Sequence, residues 1–131
     1  MSSTTGLSQA RADSASRFRS SLFRNVGHAA NDVYWFILPP ILPLILQEFG
    51  LSYATAGGIV AAFLCVAAVG SMVMGRLSDR VSPLAIIIVG FLMASACLWA
   101  AALMPTLGLV IALVLVAGIG VSTYHPAAYA S

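Results

Sequence analysis

The residue best placed to do chemistry in this sequence is Asp32, a carboxylate inside a long apolar stretch. It is the only formal charge among the 23 residues between Arg24 and Glu48. A charge near the middle of a membrane helix costs at least about 2.5 kcal/mol, so such residues usually face a bundle interior or a wet cavity. Asp32 therefore indicates a proton or substrate site, with a static hydrogen-bonding acid as the alternative.

The neighbours of Asp32 support a cavity-lining face on the same helix. At about 100° per residue, one arc of about 100° collects polar and aromatic residues together with a proline. They are His28, Asn31, Asp32, Trp35 and Pro39. Trp35 is also far from the membrane interface where tryptophan is normally enriched. Taken alone, a histidine such as His28 is more often packed than a proton carrier.

Composition defines the surroundings in which these residues act. Hydrophobic residues make up 60% of the 131-residue chain and charged residues 8%, against roughly 25% charged in soluble domains. This balance excludes soluble, disordered, collagen-like and nucleic-acid-binding classes and predicts an integral membrane protein in a lipid bilayer. We see no nucleophile–base pair or metal cluster, so we expect neither an enzyme nor a cofactor or metal.

The spacing of charges predicts an all-α protein with four transmembrane helices. A helix crosses the hydrocarbon core in about 20 residues, and near-uniform apolarity favours helices over the alternating strands of a membrane barrel. Residues 81–131 carry no charge and hold two spans, which Pro105 separates. The predicted helices cover residues 26–47, 54–75, 83–104 and 107–125.

The arginines predict the orientation of the helices. Four lie in residues 1–25 and two in the 76–82 loop, whereas the loops near residues 48–53 and 104–106 have none. Cytoplasmic loops carry the excess of basic residues. We therefore expect a multi-pass protein of the cell inner (plasma) membrane with a cytoplasmic N terminus, where residues 1–25 form a disordered tail before the helical segment 26–131.

Small residues predict where the helices pack closely, because they let backbones approach each other. Helices three and four carry Gly90-x-x-x-Ala94 and Gly118-x-x-x-Ser122. On helix two, we expect a close-packing stripe of five residues: Gly58, Ala61, Ala62, Cys65 and Ala68.

The loop after helix two adds a family resemblance. Gly75-Arg76-Leu77-Ser78-Asp79-Arg80 resembles the cytoplasmic G-x-L-x-D-R signature of the major facilitator superfamily, and it follows the second span as in that family. The family continues with a glycine and basic residues, whereas Ser82, Pro83 and Leu84 follow here.

Three further segments are similar to the fosmidomycin-resistance branch of the superfamily. They are His28-Ala-Ala-Asn31-Asp32-Val-Tyr34 with Leu38-Pro39-Pro40, then Phe49-Gly50-Leu51-Ser52, and Tyr124-His125-Pro126. Members of that branch are regarded as proton-coupled exporters of drugs or small metabolites. Val114 stands where the family's helix-four motif has an arginine, so the proton relay assigned to that arginine does not carry over.

The resemblance implies a set of roles. Superfamily members have twelve helices in two halves that rock about a central site, and this chain would supply the first four, with the remaining helices as its partners. Gly75, Asp79 and Arg80 would match the gating loop that latches the halves on the cytoplasmic side. Asp32 would be the proton or substrate site. His28, Asn31 and Trp35 would line the path, with His125 at its inner mouth.

Three functional hypotheses remain open from the sequence. The first is an N-terminal piece of a major-facilitator exporter that moves a small-molecule substrate against protons by alternating access. The second is a complete four-helix exporter that acts as a dimer, although antiparallel dimers of that kind need a weaker charge bias. The third is a non-transporting membrane subunit, which would not need Asp32.

Overall fold

The computed structural model describes residues 3–129 and contains five helices over that range. They are α1 (Ser3–Phe49), α2 (Tyr53–Ser78), α3 (Pro83–Ala101), α4 (Leu107–Val121) and the short α5 (Tyr124–Tyr129). The ends of the two predicted segments, residues 1–2 and 130–131, lie outside the described residues. The chain divides into two compact units, residues 1–30 and 31–131.

The described part of the first unit is helical, so the expected disordered tail is wrong. Residues 3–30 all belong to α1. Proline is absent before Pro39, so every backbone N–H in this segment can join the helical ladder. Serine hydroxyls also satisfy local carbonyls: Ser16 Oγ donates to Asp13 O at 2.9 Å and Ser20 Oγ to Ser16 O at 3.0 Å. These are the local bonds by which a serine inside a helix satisfies its own hydroxyl.

Four helices are long and apolar enough to cross a membrane, as the sequence predicts. The qualifying segments are Asp13–Phe49, Tyr53–Ser78, Pro83–Ala101 and Leu107–Ala128. The shortest has 19 residues, close to the number that spans the hydrocarbon core. The fold class is therefore all-α and polytopic.

The turn between α1 and α2 has sequence-encoded caps at both ends. Gly50 takes a φ of +61°, a conformation that glycine adopts without steric cost, and Leu51 N then donates to Leu46 O at 3.0 Å. This is the Schellman closure of a helix. Ser52 begins α2, and its hydroxyl accepts from Thr55 N at 3.1 Å.

The remaining turns involve prolines. Pro83 is in the first turn of α3, where its missing N–H costs nothing. Helix α3 ends at Ala101 rather than at residue 104, because Leu103 N and Met104 N donate to carbonyls three residues earlier rather than four, ahead of Pro105. Helix α4 ends at Val121 rather than at residue 125, and α5 follows two turn residues later.

The small residues Gly90 and Ala94 of α3 pack closely against Gly120 of α4. A methyl group on Gly90 would lie 2.7 Å from Gly120 O, and one on Gly120 would lie 2.6 Å from Gly90 O and 2.9 Å from Ala94 N. Ala94 is fully buried. Only glycine permits this backbone-to-backbone approach, which holds the two helices at their closest point.

The stripe expected on α2 does not face the other described helices, and of its five members only Ala62 is half-buried. Gly58, Ala61, Cys65 and Ala68 are exposed within the described part of the chain. The buried face of α2 instead carries Ala56, Ile59, Phe63, Ala67 and Gly70. The large ring of Phe63 decides the orientation, because it packs beside Gly118 on α4, where a methyl group would lie 3.1 Å from the ring.

Candidate functional site

Asp32 opens onto a cleft of about 400 Å³ in the second unit, which we name the Asp32 cleft. Residues of α1, α2 and α5 line it: Asp32, Trp35, Phe36, Leu38, Pro39, Val60, Phe63, Leu64 and His125. Asp32 is the only formal charge among these nine described residues, and His125 is the only other titratable group among them. The cleft is therefore apolar with two ionisable groups, as expected of a small-molecule site.

Asp32 and His125 are close to each other although 93 positions separate them in the sequence. A carboxylate oxygen of Asp32 lies within 4.8 Å of a ring nitrogen of His125, and both side chains are half-buried. A carboxylate beside an imidazole can exchange a proton. These two are also the cleft residues that could ligate a metal ion.

Asn31 does not line the Asp32 cleft, contrary to our expectation that it lies on the path. Its side chain is fully buried behind the cleft wall. The amide group lies 3.0 Å from Val121 O, 3.1 Å from Trp35 Nε1 and 3.2 Å from His125 Nε2. We assign its nitrogen to the side of Val121 O, which can only accept, and its oxygen to the side of Trp35 Nε1, which can only donate. Asn31 thus connects α1 to the end of α4 and to α5.

Trp35 forms one wall of the Asp32 cleft, on the helical face that the sequence predicts. Its ring is edge-on to Phe63 with centroids 6.1 Å apart and an interplanar angle of 77°. Edge-to-face contacts of this kind stabilise aromatic pairs beyond simple burial. The hydrogen bond to Asn31 and the contact with Phe63 together determine how the indole faces the cleft.

An aromatic stack that the sequence pattern does not predict adjoins His125. Phe91 of α3 stacks on Tyr34 at 5.7 Å and on Tyr124 at 5.8 Å. Tyr124 in turn meets the imidazole of His125 edge-on at 5.6 Å. The hydroxyl of Tyr34 lies 2.6 Å from Ser95 Oγ. Tyr34 and Tyr124 appear in the motifs of the sequence, but their stacking through Phe91 has no signal in helix periodicity.

His125 lies just beyond a break between α4 and α5. Pro126 has no N–H, so it cannot donate to the carbonyl of Ser122 four residues earlier. Ser71 Oγ of α2 lies 3.4 Å from that carbonyl and 3.0 Å from Ala67 O. The turn is reinforced locally, because Thr123 Oγ1 donates to Gly120 O at 2.8 Å.

The predicted gating loop is at the end of α2. Asp79 is the C-cap residue of that helix, and Asp79 and Arg80 are both exposed. Arg80 N donates to Leu77 O at 3.0 Å and so closes the turn. Gly75 faces α5, since a methyl group on it would lie 3.7 Å from Cβ of Pro126. The loop is therefore adjacent to the segment that carries His125.

His28, the remaining residue expected on the path, belongs to the first unit. It lies on α1, and its side chain is exposed. Its role remains a prediction from the sequence.

Membrane-length helices lie around an apolar cleft that holds one carboxylate, and a carboxylate inside a membrane helix indicates a substrate or ion pathway. The family comparison agrees, because the model of the Major Facilitator Superfamily matches residues 25–131. The chain belongs to this superfamily of membrane transporters, in which the lipid bilayer and a transported substrate are the expected partners. Neither the curated proteins nor the solved structures include a match to the chain.

Proposed function

We propose that the protein takes part in proton-coupled export of a drug or small metabolite by alternating access, with Asp32 as the coupling or substrate-binding group. The observation that carries this proposal is the Asp32 cleft, where a single carboxylate and one imidazole face an apolar volume of about 400 Å³. An ionisable residue inside a membrane helix is by default a candidate for ion or substrate binding.

The chemistry of the two ionisable groups supports proton coupling. The Asp32 carboxylate would hold the proton or a cationic group of the cargo, and His125, within 4.8 Å, would exchange a proton with it or with the inner solution. Trp35 would supply an aromatic surface for the cargo. His28 would be a further group on the same path, by its position on the predicted face of α1.

We further propose that the loop after α2 is the cytoplasmic gate. Gly75, Asp79 and Arg80 stand in the positions of the superfamily signature in this sequence. The exposure of Asp79 and Arg80 leaves both charges accessible to a partner helix, and the proximity of Gly75 to Pro126 connects the loop to His125. The arginine distribution supports a cytoplasmic N terminus in the plasma membrane.

The two other hypotheses are less well supported. Membership of the superfamily disfavours a four-helix exporter that functions as a dimer. A non-transporting subunit has no need for a carboxylate in a cleft, and full tolerance of Asp32 and Trp35 to substitution would favour it.

The test is a proton-flux assay on the protein as the cell makes it. A panel of toxic compounds and metabolites, applied to cells with and without the gene, first identifies a transported compound. A pH gradient is then imposed across everted membrane vesicles, and a fluorescent dye measures its decay after the compound is added. We expect the compound to dissipate the gradient with the natural protein, but Asp32→Asn should reduce this response to the level of vesicles that lack the protein.

Glu48→Gln is the matched control, because it makes the same carboxylate-to-amide change outside the Asp32 cleft. It should leave the dissipation unchanged, and Asp32→Glu should retain part of it. Equal amounts of each variant in the membrane exclude an effect on expression. Dissipation by Asp32→Asn as strong as that by the natural protein would refute the coupling role.

A further inference from the structure

We propose that Asn31 is a positioning residue that holds His125 in the tautomer with hydrogen on Nε2 and also sets the orientation of Trp35. This inference rests on the proposed function for the importance of His125, but the geometry behind it is independent of transport. Asn31 is fully buried and contacts no part of the cleft volume. It would act on the cargo only through the two cleft residues to which it is bonded.

The partners of Asn31 determine how its amide is oriented. The carbonyl of Val121, at 3.0 Å, can only accept a hydrogen bond, so it faces the amide nitrogen. The indole nitrogen of Trp35, at 3.1 Å, can only donate, so it faces the amide oxygen. The two requirements come from different helices and agree with each other.

This orientation decides the proton position on His125. Nε2 of His125 lies 3.2 Å from the same amide oxygen, and an oxygen acceptor requires a hydrogen on that nitrogen. In a neutral imidazole with hydrogen on Nε2, Nδ1 is the basic nitrogen. Asn31 therefore selects which nitrogen of His125 takes up the proton in the proposed exchange with Asp32.

Asparagine suits this position because it both donates and accepts over a short side chain. An ionised aspartate would accept from Trp35 and His125 but could not donate to Val121 O. Alanine would leave all three partners without Asn31. A buried polar group without a partner is costly. The three bonds therefore offset the cost of burying the Asn31 amide.

The test is a ¹⁵N spectrum of histidine in the natural protein, since the two ring nitrogens of each tautomer have distinct chemical shifts. This chain contains only two histidines, and His125→Asn identifies the signals of His125. We expect hydrogen on Nε2 in the natural protein. Asn31→Ala should lower the ratio of the Nε2–H to the Nδ1–H form by about fivefold, the effect of one ordinary hydrogen bond.

Ser71→Ala is the matched control, because Ser71 also reaches the α4–α5 break but bonds to Ser122 O rather than to His125. It should leave the tautomer ratio unchanged. Asn31→Asp keeps an oxygen acceptor beside Nε2 and should keep hydrogen on that nitrogen, in either the neutral or the doubly protonated ring. Should Asn31→Ala fail to fold, this variant and the natural protein still decide the matter, because the Nδ1–H form in the natural protein overturns the inference.

The outcome is separable from that of the proposed function. If Asp32→Asn transports normally and Asn31→Ala changes the tautomer, the positioning role stands and the proton-coupling proposal fails. If Asp32→Asn abolishes proton flux and Asn31→Ala leaves the tautomer unchanged, the coupling proposal stands and the positioning role is refuted.

Discussion

The contact between α3 and α4 gives a prediction whose magnitude follows from the structure. In Gly90→Ala, the new methyl group would meet the side chain of Thr123 and would lie 2.7 Å from Gly120 O. Rotation about χ1 can move Thr123 Oγ1, but neither Cβ of Thr123, at 2.8 Å, nor the carbonyl of Gly120 can move away without the backbone. An ordinary contact begins near 3.4 Å, so α3 and α4 have to separate by about 0.7 Å at this point.

That separation is costly because the contact is extended. A radial gap of about 0.5–1 Å forfeits about a quarter to a half of each dispersion contact across it, and overpacking generally costs about 1–3 kcal/mol. Replacing a helical glycine by alanine stabilises the helix by about 0.8–1.0 kcal/mol, which offsets part of this cost. We therefore expect Gly90→Ala to lose up to about 2 kcal/mol of unfolding free energy.

Unfolding in mixed detergent micelles, followed by far-ultraviolet circular dichroism, measures this difference. Gly58→Ala is the matched control, because a methyl group on Gly58 meets nothing within 4 Å and this glycine also lies inside a helix. It should be neutral or stabilising by up to about 1 kcal/mol. A Gly90→Ala protein as stable as the Gly58→Ala protein would refute the close approach of α3 and α4.

Two further predictions concern the aromatic stack and the topology. Tyr34→Phe keeps the ring on Phe91 but removes the 2.6 Å hydrogen bond to Ser95. It should lower the free energy of unfolding by about 0.6 kcal/mol. A double-mutant cycle with Ser95→Ala that shows no coupling energy would contradict this expectation. With the natural cysteines replaced, Tyr53→Cys should react with an impermeant maleimide on intact cells and Ser82→Cys should not; the reverse pattern would invert the proposed orientation.

The membrane helices could be predicted from the sequence because charge placement is a one-dimensional property. A run of about 20 apolar residues predicts a membrane helix, and proline and glycine predict where it ends. The start of α1 could not be predicted in this way. Hydropathy reports which residues suit a bilayer, whereas α1 extends over residues 3–25 through backbone hydrogen bonds, which do not require apolar side chains.

Packing faces were harder to predict, because residue size does not say which side of a helix meets a neighbour. The small residues of α3 and α4 pack as expected, but on α2 the burial of Phe63 against Gly118 turns the small residues around Ala61 outward. For the site, helix periodicity identified Asp32 and Trp35 on one face. Helix periodicity could not reveal that Asn31 is buried, because two of its three partners, Val121 O and His125, are brought to it only where α4 ends.

The break that ends α4 also explains why the Asp32 cleft depends on helix packing. Pro126 leaves the carbonyl of Ser122 without its helical donor, and side chains from two other helices reach the break instead: Asn31 of α1 and Ser71 of α2. The segment that carries His125 is therefore held by α1 and α2 as well as by its own helix. A shift of α4 against α1 or α2 has to change these bonds, and with them the distance from His125 to Asp32.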